Sequence, residues 1–134
     1  MDIARKLALM FAAGVCAAAP AIAQQNASAV VVQAHVDAYR AGDIGAFMDT
    51  FADNAVLTYD GQRFVGKAQI RHAYSMNFQP GAPSIYIAAS EMREGRLVLS
   101  EGYILADGTD ICCSLSYFTV KNGKITRIDT YSPS

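Results

Sequence analysis

Apolar and polar positions divide this chain into a helical first half and a β second half. Over Ala29–Ala41, Val32, Val36 and Tyr39 fall at i, i+4 and i+7, with Val31, His35 and Ala38 beside them. Gln33, Asp37 and Arg40 form the opposite polar stripe, so His35 lies on the apolar side. Gly42 is a helix stop and Asp43 an N-cap for the next helix. There Ile44, Phe47, Met48 and Phe51 occupy i, i+3, i+4 and i+7, until Asp53-Asn54 breaks the pattern. Ala55–Tyr59 and Gln62–Val65 read as strands joined by the hairpin signal Asp60-Gly61. Lys67–Phe78 is a third helix with Ile70, Ala73 and Tyr74 inward, which leaves His72 outward.

Past the breaker Gln79-Pro80-Gly81-Ala82-Pro83 the chain reads as β. Strands are expected over Ser84–Arg93, Arg96–Ala106, Thr109–Lys121 and Lys124–Tyr131, joined at Glu94-Gly95, Asp107-Gly108 and Asn122-Gly123. Helices first and an antiparallel meander after make an α+β fold, with three N-terminal helices on one face of a curved sheet.

The ends and the charge narrow the setting. Arg5-Lys6, the apolar run Leu7–Ala19 and the small-x-small triplet Ala21-Ile22-Ala23 have the form of a secretory signal peptide, residues 1–23. The run is shorter than the roughly 20 apolar residues of a membrane span. The expectation is therefore a periplasmic or secreted domain, residues 24–134, with no stable membrane anchor after cleavage. Setting residues 1–23 aside removes Asp2, Arg5 and Lys6. Nine basic and eleven acidic side chains remain, a net charge of about −2 that gives no footprint for nucleic acid. Adjacent Cys112 and Cys113 would point to opposite faces of a strand, so two free thiols are expected, with an intermolecular bridge as the alternative. His35, His72 and the cysteines lack metal-ligand spacing, and no phosphate loop or dinucleotide fingerprint occurs, so neither metal nor cofactor is expected.

One titratable residue stands out from pattern alone. Glu101 interrupts the alternation of Leu97, Leu99, Tyr103 and Leu105. If those residues face a pocket, so does Glu101, as a carboxyl of raised pKa able to give or take a proton. The other reading turns it to solvent or into an ion pair.

The segments AYRAGD, FADNAVLTYDG and FVGKAQIRHAY resemble the nuclear transport factor 2-like superfamily, which includes ketosteroid isomerases and SnoaL-like polyketide cyclases. The similarity covers nearly all of residues 29–133. It implies a cone, a bent sheet wrapped around a pocket that the helices close. Counting along its motifs, His35 falls where the isomerases carry an oxyanion-hole tyrosine. Tyr59 falls at their catalytic aspartate, and Ser116 at their second oxyanion acid. Asp60 is one residue beyond the aspartate position, which reverses its face, so it reads as a turn residue. His35 is then a donor or base, or a core histidine satisfied by a neighbour. Tyr59 is a pocket hydroxyl or a packing group.

An inward Ser116 brings Cys112, Ser114 and Phe118 inward too. It puts Ile111, Cys113, Leu115 and Tyr117 on the outer face, where Ile111, Leu115 and Tyr117 would suit a homodimer. The expected site has His35, Tyr59 and Glu101 as polar groups among Tyr39, Phe51, Met76, Tyr103, Ser114, Ser116 and Phe118. The ligand would be a small, mostly apolar molecule, and the chemistry proton transfer without a cofactor. A non-catalytic binding protein or a dimeric interaction protein of the cell envelope is the rival reading.

Overall fold

The computed structural model of the protein describes residues 22–134. The proposed leader and its basic residues lie almost entirely outside them. Helix α1 is helical over 22–40, α2 is Ile44–Asp49 and α3 is Lys67–Tyr74, continued as a 3-10 turn over Ser75–Phe78. The strands are β1 (Phe51–Tyr59), β2 (Gln62–Val65), β3 (Ser84–Arg93), β4 (Arg96–Ile104), β5 (Asp110–Lys121) and β6 (Lys124–Tyr131). They form one unclosed sheet in the order β2-β1-β6-β5-β4-β3. All neighbours are antiparallel except β1 and β6, which run parallel. That pairing joins the two halves of the chain edge to edge and makes one continuous inner face.

The turns follow the expected chemistry with one exception. Asp60-Gly61, Glu94-Gly95 and Asn122-Gly123 all have positive φ at both residues, the conformation that matches the twist of a two-residue hairpin. The fourth connection is longer than expected. The β4 ladder ends at Ile104, and residues 105–109 form a loop closed by Leu105 N–H donating to the Thr109 carbonyl over 2.9 Å.

Two helices differ from the periodicity reading. The polar residues Gln24–Ser28 continue α1. Gln24 Nε2 donates to the Val120 carbonyl at 3.3 Å and Ser28 is buried, so contact with the end of β5 extends the helix past its apolar stripe. α2 starts as its cap predicts, with Asp43 Oδ1 accepting from the Ala46 N–H at 3.0 Å, but it stops at Asp49. The Thr50 hydroxyl donates to the Phe47 carbonyl at 2.7 Å and closes the last turn. Phe51 therefore opens β1 instead of completing a helical face. Asp53 and Asn54 bulge out of β1, where the register against β6 shifts between Phe51 and Val56.

The core lies between the helices and the inner face. Val32, Val36, Phe47, Met48 and Ile70 pack against Phe51, Leu57, Leu97, Leu99, Phe118, Ile125 and Ile128. The strand residues alternate, as one buried face requires. Further irregularities lie between Ile87 and Ala89 on β3 and opposite Gly102 on β5, so both neighbours of β4 carry an extra residue beside Glu101. Bulges bend strands, and here they bend the sheet around a hollow at its β4 end.

The β5 bulge corrects the reading of Ile111 and of Cys112, which was expected inward and is exposed. Ile111 pairs with Tyr103 and Ser114 with Glu101, so three residues of β5 span two of β4. Strict alternation fails across that step, and Ile111 lies with Tyr103 on the hollow's side, not with Leu115 and Tyr117. Nor are Cys112 and Cys113 two free thiols. Their peptide is cis, their Cα atoms are 3.0 Å apart, and the sulfurs are bonded to one another. The expectation of opposed side chains assumed strict strand alternation, which the β5 bulge interrupts at these two residues.

Candidate functional site

The hollow is a cavity of about 490 Å³. β1 and β2 supply Leu57, Tyr59, Gln62 and Phe64, α3 and its extension supply Ala73, Tyr74 and Asn77, and Pro83 adds one edge. β4 and the loop after it supply Glu101, Tyr103 and Leu105, while β5 supplies Ile111 and Ser114. Thr130, Ser132 and Pro133 complete it from the C-terminal end. Walls are mainly apolar or aromatic, with a few convergent polar groups, the usual make-up of a small-molecule site.

Glu101 is the polar focus. It is 6% exposed, inward-facing by the alternation of β4. Its Oε2 accepts from the Tyr103 hydroxyl at 3.0 Å and from Ser116 Oγ at 3.0 Å. Ser116 Oγ also lies 2.9 Å from Thr130 Oγ1, so a chain of hydroxyls runs from β6 through β5 to the carboxyl on β4. Burial pushes the Glu101 carboxyl above its ordinary value, against the pull of the Ser116 and Tyr103 hydrogen bonds. Burial likewise raises the phenols of Tyr103 and Tyr74, with the Glu101 charge adding to the effect, so both stay protonated donors.

The structure separates His35 from the main cavity. The ring packs 4.2 Å from Phe47 and within 5.5 Å of Phe51 and Phe118, centroid to centroid. Its Nδ1 lies 3.0 Å from Thr50 Oγ1, whose own proton goes to the Phe47 carbonyl. Thr50 therefore accepts, His35 Nδ1 carries the proton, and Nε2 is left as an acceptor. Burial holds the imidazole down to about 3. His35 and Glu101 share only a side void of about 20 Å³, lined also by Tyr39, Phe47, Ser116 and Phe118. It has space for about one water molecule.

The other expected residues divide between site and core. Tyr59, Tyr103 and Ser114 line the cavity, Tyr59 at its half-open mouth. Ser116 supports Glu101 from beneath. Tyr39 and Phe118 border the side void, and the Tyr39 hydroxyl accepts from Asn77 Nδ2 at 3.0 Å. Phe51 is 1% exposed, a core residue at the start of β1 and not a pocket wall. Met76 is 76% exposed, because the helix tightens to 3-10 after Tyr74 and turns it to solvent. Asn77 reaches the cavity in its place. Asp60 sits in the turn with φ 47°. Its carboxylate accepts from the Ser132 N–H at 2.8 Å and from the Ser132 hydroxyl, which ties the C-terminal residues across the cavity mouth. His72 is exposed on α3.

Phe64, Gln62 and Thr130 were not among the expected site residues, whereas Leu105 lines the cavity on the face it was expected to share with Glu101. Strand alternation carried a signal for Phe64, two residues from Gln62, and for Thr130, two from the buried Ile128. No signal marked Pro133. Among the described residues no group of His, Cys, Asp and Glu could hold a metal ion.

The outer face of the sheet carries a separate ionic cluster. Asp129 accepts from Arg96 Nη2 and Arg127 Nε, each at 2.8 Å, and from Thr58 Oγ1 at 2.6 Å. Burial opposes ionisation, yet hydrogen bonds from Arg127, Thr58 and Arg96 hold this carboxyl well below the usual carboxylate range.

Solved structures share this architecture. A protein of unknown function from Mesorhizobium loti, described as NTF2-like, superposes with a TM-score of 0.71 at 19% identity, over 81% of this chain and 93% of its own. A Kribbella flavida protein provisionally designated a ketosteroid isomerase gives 0.71 at 14% identity, over 81% and 79%. A Sinorhizobium meliloti protein provisionally designated a polyketide cyclase gives 0.66 at 22% identity, over 75% and 92%. At these identities the likeness shows the fold alone. No curated protein sequence matches the chain. The family described as SnoaL-like domain matches residues 32–128, from the first buried valine of α1 to the last core residue of β6, and the chain belongs to that family.

Proposed function

We propose that the cavity binds a small, mostly apolar molecule and that Glu101 exchanges a proton with it, without a cofactor, in an isomerase-, cyclase- or dehydratase-type reaction. The observation that carries this reading is the buried Glu101 carboxyl, held by Tyr103 and Ser116 at the wall of a cavity of about 490 Å³. Burial raises this carboxyl above its ordinary value, the direction that suits a carboxyl to give or take a proton. The neighbouring Tyr103 phenol is a donor that could steady charge developing on the ligand. Relatives designated isomerase and cyclase support the class of reaction. His35, neutral and behind the side void, supports the wall and takes no direct part.

Two further expectations belong to the same reading. The signal-like residues 1–23 support export to the periplasm or beyond, tested by whether the N-terminus of the secreted protein is Gln24. The exposed Leu115 beside Tyr117 supports pairing through the outer sheet face, tested by sedimentation of the wild type and Leu115→Lys.

The function is tested by a thermal-shift search with steroids, polyketide-like aromatics and lipids. Carbonyl-bearing hits are then followed by deuterium exchange of their acidic C–H positions. Glu101→Gln should slow exchange by about 10²-fold or more. Ligands that bind while exchange is absent in the wild type would make this a binding protein. An absence of any hit would overturn the cavity assignment.

A further inference from the structure

Among the described residues two carboxyl side chains are buried, Glu101 on the inner face of the sheet and Asp129 on the outer, and they are treated differently. Asp129 meets two guanidinium groups. Glu101 meets only hydroxyls. Both hydroxyls converge on Oε2. Oε1 makes no hydrogen bond among the described residues, yet no fully buried side-chain oxygen there lacks a partner, so Oε1 opens onto the enclosed space that Glu101 lines. None of the residues lining the cavity is Lys, Arg or His, and Glu101 is the one that can carry a formal charge at neutral pH. A buried carboxylate without a counter-charge is costly. The walls around it are rich in ring faces, from Tyr59, Phe64, Tyr74 and Tyr103. Aromatic faces attract cations, most strongly where water is excluded.

We infer that the ligand of this cavity is an organic cation, a protonated or quaternary amine on an apolar body, whose charge pairs with Glu101 and lies against the tyrosine rings. The inference rests on the reading of the cavity as the ligand site and names the class of molecule it takes. Anionic ligands are disfavoured on the same ground, since no basic group lines the cavity. A neutral ligand would require Glu101 to keep its proton. The two cases respond to pH in opposite ways: a cation competes with the proton on Glu101 and binds more tightly as pH rises, whereas a neutral acceptor needs that proton and binds less tightly.

Other groups facing Glu101 leave the comparison clean. Tyr39, Tyr59, Tyr74 and Tyr103 have phenols raised by burial and remain neutral to well above pH 8. His35, across the side void, is held neutral by burial. Asp60 at the mouth is kept ionised by its Ser132 hydrogen bonds.

The test is calorimetric titration of the purified chain with 2-phenylethylamine, a cation at neutral pH, and with its neutral isostere 2-phenylethanol. The amine should bind about tenfold more tightly, and Glu101→Gln should abolish that preference while leaving the alcohol within a few-fold of its wild-type affinity. Because the substitution could disturb folding, trimethyl(2-phenylethyl)ammonium, whose charge is fixed, is also titrated into the wild type between pH 5 and 8. Its affinity should rise with pH. Equal or tighter binding of the alcohol, or a falling affinity of the quaternary probe with pH, overturns the inference while the cavity assignment stands. Binding of neither probe overturns the inference, and the cavity assignment falls with it only when the wider ligand search also yields no hit.

Discussion

Tyr103 and Glu101 lie two residues apart on β4, and the tyrosine hydroxyl donates to Glu101 Oε2 across 3.0 Å on the inner face of the sheet. This contact depends on both residues pointing the same way along a regular strand while the strands on either side bulge. It places a protonated phenol and a carboxyl side by side in a nearly dry wall.

Glu101 should make stability fall with rising pH. Its folded pKa is raised above the ordinary 4.5, mainly by burial, so between the two values the folded state holds a proton that the unfolded state has lost. The contribution is full below 4.5 and is lost as pH rises through the folded value. Between pH 4.5 and 7.5 the change in stability measured by urea unfolding should be less favourable in the wild type than in Glu101→Gln, a difference from which the opposite contribution of His35 cancels. A wild type and variant with the same pH dependence would contradict the buried placement.

His35 should act in the opposite direction. Its folded pKa is near 3 and its ordinary value is 6.5, so acid favours the unfolded state, which binds the proton. Stability from this group is complete above 6.5 and falls with decreasing pH by up to about 1.4 kcal/mol per unit towards 3. The direct measurement is by NMR. The His35 ring carbon and proton shifts should stay flat from pH 8 to pH 5, with the Nδ1–H tautomer throughout, whereas a midpoint near 6.5 would place the ring in solvent.

Replacing Asp129 by Asn should cost about 1–3 kcal/mol, because Arg96, Arg127 and Thr58 lose a charged acceptor at a mostly buried position. The arginines are themselves partly exposed, which keeps the cost below that of a fully buried pair. Asp129 has a depressed folded pKa, so its stabilisation is present above its ordinary value of 3.8 and is lost as pH falls through the lower folded one. The variant should therefore unfold less steeply in acid. The measurements are urea titrations at pH 7 and a series of acid titrations.

Asp60→Gly should free the C-terminal residues without unfolding the domain. Glycine accepts the positive φ of this turn, so the change isolates the loss of two hydrogen bonds to Ser132. Exchange of the Ser132 amide should accelerate by about tenfold, with the melting temperature little changed because the contact is exposed. Unchanged exchange would mean the tail is held by something else.

Much of this molecule could be read from the order of its residues. Period-four apolar spacing placed α1 and α3, and period-two spacing placed Glu101 beside Tyr103 on one face. The Gly-containing turns fixed three hairpins, because only a few residues tolerate positive φ. These are local effects, set by backbone sterics and side-chain direction within a few positions.

What required the tertiary structure was anything that depended on a neighbour. Phe51 continues the apolar spacing of α2 but belongs to β1, because the Thr50 hydroxyl ends the helix. Met76 has the spacing of a pocket residue and faces solvent, because the last turn narrows. Ile111 changes sides because β5 carries one residue more than β4 opposite Gly102. His35 has the position of a catalytic donor, but Phe47, Phe51 and Phe118 enclose it and burial keeps it neutral. The spacing of residues determines which face each prefers, whereas bulges, helix ends and desolvation are decided only when elements pack together, and those decided which polar groups reach the cavity.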